Sequence, residues 1–175
     1  MHWIAFAILL YIATVLQTAS MPFLAVHTVV PDLMVIVAVH YALLARPHDG
    51  MIACWCTGLA IDLAGLSYSG HSNVGVHALS LGLIGWCIIK VRELTFRENA
   101  LTQVAFAFLA KLAVTMLVGL HMLYVLDQWD RLGEITTMGV WAALYTGLLA
   151  PYVHWILRHF RAALGLGVTH RLRVR

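Results

Sequence analysis

The sequence predicts an all-α integral membrane protein that crosses the bilayer six times. Of its 175 residues, 62% are hydrophobic and 11% are charged, whereas a soluble domain averages roughly 45–50% apolar and about 25% charged residues. The apolar residues fall into six long runs with short polar breaks between them, and a membrane helix needs about 20 such residues. No polar stretch is long enough to form a soluble domain.

Each predicted span is an apolar run bounded by turn residues. The first run has no Lys or Arg before it, so we interpret it as an uncleaved span rather than a signal peptide. Pro31 is expected in the first turn of the second span, where proline is tolerated. We predict a transmembrane domain over residues 1–160 and a basic cytoplasmic tail over 161–175. The predicted spans are 3–19, 29–45, 51–66, 74–91, 100–126 and 135–157, and the polar breaks include 46–50, 67–73, 92–99 and 127–133.

The basic residues predict the orientation of these spans, because cytoplasmic loops carry an excess of Lys and Arg. If both termini are inside, nine Lys and Arg residues fall on the inner side and one, Arg131, falls in an outer loop. We therefore predict cytoplasmic termini. The tail is expected to attract anionic lipid headgroups, and a docking site for a cytoplasmic partner remains an alternative. The nine inner residues are Arg46, Lys90, Arg92, Arg97, Arg158, Arg161, Arg171, Arg173 and Arg175.

Three charged residues lie in or beside the spans, where charge is costly and marks a functional site by default. Asp62 and Lys111 each stand 11 residues past the start of a span that enters from the inner side, which is about 16 Å of helix. We therefore predict that Asp62 and Lys111 pair inside the bundle. The alternative for Asp62 is ion or proton coupling. Asp32 is expected at a helix start, where the helix dipole favours an acid.

Glycines in the third and fourth spans predict a tight hairpin between them. Gly58 and Gly65 are seven residues apart and share a helix face, and Gly75, Gly82 and Gly85 recur at helical spacing further on. Such glycines let helix backbones approach closely in lipid. We expect Asp62 to face the inside of this hairpin.

Catalytic and metal-binding patterns are not found in the sequence. The three cysteines lie in apolar runs, and the ten histidines form neither an HxxxH nor an HExxH pattern. Ser67, Ser69 and Ser72 share a loop with His71, but a serine hydrolase also needs a positioned base and an oxyanion hole. We predict no enzyme activity, no metal and no cofactor. Nucleic-acid binding is not expected either, because the basic residues form no folded basic face.

Three ordered motifs resemble the family of rod shape-determining proteins MreD. They are PDL at residues 31–33, GLAIDLAG at 58–65 and GVHAL at 75–79, followed by a further glycine, Gly85. The motifs cover roughly residues 29–100, and the remaining spans agree in hydropathy alone. Polar residues at 71–73 stand before Gly75, where the family more often has an apolar residue and a glycine close together.

The resemblance implies a non-enzymatic scaffold of the bacterial rod complex, or elongasome, in the inner membrane. Such a protein would bind MreC and act with RodA, a class B penicillin-binding protein and MreB to support side-wall peptidoglycan synthesis and cell shape. The implied fold is similar to the six-helix substrate-binding components of energy-coupling-factor transporters. A small-molecule-binding transporter subunit is therefore the alternative, with loop 67–73 and Trp129 expected to line an outer pocket.

Overall fold

A computed structural model describes residues 1–26, 29–65, 75–92 and 99–165, and the regular structure in these ranges is helical apart from one isolated bridge between Val26 and Val29. Within the described ranges, α5 and the last helix with the turn before it are long and apolar enough to cross a membrane. The all-helical architecture agrees with a membrane helical bundle, and the number of crossings stays a prediction. The six α-helices of the described residues are α1 (Trp3–Ala19), α2 (Leu33–Leu44), α3 (Pro47–Leu63), α4 (Val76–Val91), α5 (Ala100–Leu126) and α6 (Leu132–His159).

The start of α2 differs from the sequence prediction. Asp32 has extended backbone angles and its side chain accepts a hydrogen bond from the N–H of Val35, so it is the N-cap and the helix begins at Leu33. A carboxylate in this position satisfies a backbone donor that the helix leaves unpaired. The expected place of Pro31 inside the first turn was therefore wrong, since Pro31 precedes the cap.

The polar segment 46–50 was predicted as a turn, and most of it is instead the first turn of α3. This helix begins at Pro47, with Asp49 in its first turn. Proline is favoured at the first helical position because its missing N–H has no partner there anyway, and an acid near the N-terminus is stabilised by the helix dipole. The predicted loop 67–73 and residues 93–98 and 166–175 lie outside the described residues.

α2 lies at the centre of the bundle. Eleven of its twelve residues are buried, and all five other α-helices pack against it. Twelve residues make a helix of about 18 Å, which is shorter than the hydrocarbon layer of about 30 Å. α2 is therefore shorter than a helix that crosses the whole layer, and Asp32 at its start is largely enclosed by the bundle, with its side chain 16% exposed.

The C-terminal end of α2 is closed by a buried arginine at the end of α4. The Nη1 of Arg92 donates to the carbonyl oxygens of Ala42 and Ala45, at 2.6 and 2.7 Å. A cation near the last carbonyls of a helix is favoured by the dipole and satisfies exposed acceptors. Arg92, which the sequence indicated only as a topology signal, thus also holds α2 in place.

The predicted hairpin of α3 and α4 is confirmed at three of its five glycines, Gly58, Gly82 and Gly85, and a Cβ on Gly82 would lie 2.4 Å from the Nε1 of Trp55 in α3. A Cβ on Gly58 would lie 2.5 Å from the Cα of Ala78, and a Cβ on Gly85 would lie 2.5 Å from the Sγ of Cys54. The packing role predicted for Gly65 and Gly75 is not seen, because no atom of the described residues would lie within 4 Å of a Cβ at either position. Their φ angles of +63° and +103° show that they are turn residues beside helix ends, where glycine avoids a steric penalty.

Candidate functional site

A cavity of about 590 Å³ lies at the end of the bundle where α1, α3 and α5 end and α2, α4 and α6 begin. We name it the Asp32–Lys111 cavity. This end is opposite to the one at which Arg46, Arg92 and Arg158 are found. The described residues that line it are Gln17, Thr18, Val30, Asp32, Met34, Ile61, Gly65, His77, Lys111, Val114, Thr115, Val118, Gly119, Met122 and Ile135.

An ion pair between Asp32 and Lys111 forms the polar part of the cavity wall. The Nζ of Lys111 donates to the Oδ2 of Asp32 at 2.7 Å, and the two side chains are 18% and 16% exposed. The other carboxylate oxygen, Oδ1, accepts from the backbone N–H of Val35 at 3.1 Å. One carboxylate therefore both begins α2 and neutralises the lysine of α5.

The prediction that Lys111 pairs with Asp62 was wrong. Because α3 begins at Pro47 rather than at residue 51 and ends at Leu63, Asp62 lies in the last turn of its helix, about 22 Å from the start. Lys111 lies nearer the middle of the 27-residue α5, about 16 Å from its start. Asp32, at the start of α2, contacts Lys111 instead.

Asp62 holds the start of α4, as an inward-facing residue of the hairpin. Its Oδ2 accepts from the backbone N–H groups of Gly75 and Ala78, at 2.8 and 3.2 Å. Its Oδ1 accepts from the backbone N–H of His77 at 3.3 Å and contacts the Nδ1 of the same residue at 2.8 Å. A carboxylate is stabilised where the N–H groups of a helix N-terminus converge. Asp62 thereby joins the end of α3 to the start of α4 and fixes the ring of His77.

The PDL segment at 31–33 is held by polar side chains that were not singled out in the sequence. Gln17 accepts from the N–H of Leu33 at 2.7 Å and donates to the carbonyl of Pro31 at 3.1 Å. The N–H of Asp32 donates to the hydroxyl of Thr146 at 3.0 Å. Gln17 and Thr146 are polar residues within long apolar runs, and this was the signal that could have identified them.

The remaining cavity wall is apolar, with Met34, Ile61 and Val114 among its residues. His77 also lines the cavity, and among the described residues its Nε2 makes no hydrogen bond. Trp129, which was expected to line an outer pocket with loop 67–73, is not part of this wall. The arrangement is an apolar chamber with a few fixed polar groups, which is the usual composition of a small-ligand site.

Two further features lie away from this cavity. An apolar groove of about 750 Å³ runs beside the first half of α6 and includes Met138, Trp141 and Leu144. Near the basic end, the rings of His40 and His154 are buried with their centroids 4.9 Å apart. Within the described ranges no cluster of three or more His, Cys, Asp or Glu side chains has a metal-binding arrangement.

Comparison with known proteins gives one family. The model of the family described as rod shape-determining protein MreD matches residues 1–160. The match therefore includes α1, α5 and α6, which carry none of the short motifs at 31–33, 58–65 and 75–79. No curated protein and no solved structure gives a significant match.

Proposed function

Since the chain belongs to the MreD family of rod shape-determining proteins, we propose that it is a non-enzymatic scaffold of the bacterial rod complex. The observation that carries the proposal is the family match over residues 1–160. This family consists of membrane proteins that act in rod shape determination, and the two long apolar helices of the chain are compatible with membrane insertion. The proposed location is the inner membrane, with both termini in the cytoplasm.

We propose MreC as the direct partner, within a complex that also contains RodA, a class B penicillin-binding protein and MreB. Large aromatic side chains project from the outside of the bundle, and Tyr11, Tyr124 and Trp141 are among the most exposed. In a membrane such surfaces contact lipid or the helix of another protein. The groove beside the first half of α6 offers a concave apolar surface for a single spanning helix, with Trp141 at its wall.

Co-purification tests the partner. We expect MreC to remain bound to the chain in a mild detergent when both are expressed together, while an unrelated protein with one membrane span does not. Loss of all association under these conditions would overturn the scaffold proposal. Depletion of the chain in a rod-shaped host should give spherical cells, and expression of the wild-type chain should restore rods.

Two tryptophans of α6 provide a matched pair for locating the contact. Trp141 is 64% exposed and lines the groove, whereas Trp155 is 61% exposed and lies outside it. Truncating an aromatic side chain that is a hot spot of an interface costs about 2 kcal/mol or more, which is more than tenfold in affinity. We expect Trp141→Ala to reduce MreC recovery by about that factor and Trp155→Ala to leave it unchanged.

The Asp32–Lys111 cavity favours a second candidate function, a small-molecule-binding subunit of a transporter. A fold similar to the substrate-binding components of energy-coupling-factor transporters, which the family resemblance implies, would permit it, but a shared fold does not determine function. A transporter subunit also needs a cytoplasmic surface that couples to an ATPase. Co-purification of an ATPase in place of MreC, together with uptake of a solute into cells, would favour this function over the scaffold.

A further inference from the structure

The charges on the wall of the Asp32–Lys111 cavity balance one another. Among the described residues that line it, Asp32 is the acidic side chain and Lys111 is the cationic one. Asp62 is not part of the wall, since its side chain is 1% exposed and accepts its hydrogen bonds from the start of α4. The wall thus presents a positive and a negative group 2.7 Å apart, with His77 beside them.

Both members of this ion pair retain unused hydrogen-bonding capacity. An ammonium carries three N–H donors, and within the described residues Lys111 uses one of them, toward Asp32. A carboxylate has about four acceptor positions, and Asp32 uses two, for Lys111 and for the N–H of Val35. The Nε2 of His77 adds a third polar atom, because Asp62 holds Nδ1 on the other side of the ring.

The opposite charges of Asp32 and Lys111 indicate which class of ligand fits the cavity. A purely anionic or cationic ligand would leave an uncompensated charge beside two side chains that are only 18% and 16% exposed, and a charge with little access to water is costly. A zwitterion adds no net charge, and its acidic group and ammonium complement Lys111 and Asp32 at the same time. The volume of about 590 Å³ falls within the range of about 300–1,000 Å³ that is usual for ligand pockets.

We propose that the Asp32–Lys111 cavity binds a zwitterionic ligand, whose acidic group contacts Lys111 and His77 and whose ammonium contacts Asp32. An aminoalkyl phosphodiester has this chemistry, and it occurs both as a phospholipid headgroup and as a water-soluble compound. The apolar walls formed by Met34, Val114 and Val118 accommodate carbon chains attached to such a headgroup. The site goes beyond the scaffold function and requires neither MreC binding nor transport.

Binding to the delipidated full-length chain in detergent tests the site. The probes are dihexanoyl phosphatidylethanolamine, dihexanoyl phosphatidylglycerol and the soluble glycerophosphoethanolamine, followed by native mass spectrometry and calorimetry. We expect the zwitterionic lipid to bind at least tenfold more tightly than the anionic lipid. Binding of glycerophosphoethanolamine with similar affinity assigns a soluble source, whereas binding of the lipid alone assigns a membrane source. Equal affinity for both lipids would overturn the proposal.

A neutral double variant, Asp32→Asn with Lys111→Gln, removes the charges without leaving either one unpaired. Asparagine remains a good N-cap for α2, so the fold is expected to persist in circular dichroism. We expect at least a tenfold loss of affinity for the zwitterionic lipid. Lys90→Gln removes an exposed charge at the other end of the bundle and should change nothing. Unchanged binding by the double variant would overturn the proposal.

If the double variant fails to fold, a variant that fills the cavity tests whether the ligand binds there. Val118 lines the cavity and is partly exposed, so Val118→Trp places a large side chain there while both charges stay. We expect this variant to lose zwitterion binding at least tenfold. Full retention of binding would show that the ligand lies elsewhere on the protein, and the proposed site would then be wrong.

Discussion

At the scale of single residues, the charges in the spans are tolerated because each one has a specific partner. Asp32, Lys111 and Asp62 stand out in the sequence as charged residues inside apolar runs. Their pairing could not be predicted, because it depends on where each helix begins and on the shortness of α2. The position at a helix start expected for Asp32 required only local information, and the structure places this residue at the N-cap of α2.

Removing one member of the Asp32–Lys111 pair should destabilise the protein more than neutralising both. Breaking a buried ion pair costs about 3–5 kcal/mol because a charge is left uncompensated, and partial exposure of the two side chains lowers this value. We expect Lys111→Met to reduce the free energy of unfolding by at least about 2 kcal/mol. The double change Asp32→Asn with Lys111→Gln should cost less than this single change, as measured by denaturation in detergent.

A double-mutant cycle with Asp62 serves as the control for this prediction. Asp62 contacts the start of α4 and not Lys111. The effects of Lys111→Met and Asp62→Asn should therefore add within about 0.5 kcal/mol. A larger coupling would show that the pair first expected from the sequence does form.

Asp62 itself should be important for the stability of the hairpin. Hydrogen bonds to a charged group contribute about 1.5–3 kcal/mol each, and this carboxylate accepts bonds from Gly75, His77 and Ala78. We expect Asp62→Ala to lower the free energy of unfolding by at least about 2 kcal/mol. Asp62→Asn keeps one acceptor oxygen and should cost less. Asp130→Ala, at an exposed position between α5 and α6, should have little effect.

At the scale of elements, apolar runs predicted helices well and their ends less well. The bounds of α1 and α5 agree with the prediction, because Asn99 and small polar breaks mark them clearly. The starts of α2 and α3 were misplaced, because Asp32 and Pro47 act as helix-start residues within stretches that otherwise indicate a span or a turn. The predicted starts were based on hydropathy and gave too little weight to residues that favour the start of a helix.

The close approach of α3 and α4 should depend on Gly58. A Cβ at this position would meet the backbone of His77 and Ala78 at 2.5 Å, and backbone atoms cannot move aside as a flexible side chain can. Overpacking of this kind costs about 1–3 kcal/mol. We expect Gly58→Val to lower the free energy of unfolding by about this amount or more, measured by denaturation in detergent.

Gly133 is the matched control for Gly58. It lies in the first turn of α6 and no neighbouring atom would meet its Cβ within 4 Å. Alanine there should stabilise the protein by about 0.4–1 kcal/mol through the entropy of the unfolded chain. If Gly58→Ala proved as harmless as Gly133→Ala, the close contact of the two helices would be contradicted.

At the scale of the whole molecule, polar groups at the two ends of the bundle differ in kind. One end contains the Asp32–Lys111 cavity, and the opposite end contains Arg92 and Arg158. Loop charges alone predicted this asymmetry, whereas the cavity depends on how the start of α2 lies beside α5. A hydropathy pattern gives the number of apolar runs and not their relative lengths in three dimensions, so the cavity was not predictable.

The orientation of this asymmetry in the membrane is the last prediction. Basic residues keep loops in the cytoplasm, so the cavity end should face outward and both termini inward. Alkaline phosphatase is active only outside the cytoplasm, so it should be active when fused after Asp130 and inactive when fused after His159. A fluorescent protein that matures only in the cytoplasm should show the reverse pattern. Activity of the phosphatase at His159 would contradict the orientation. With the predicted orientation, a zwitterionic ligand reaches Lys111 from the periplasm or the outer leaflet.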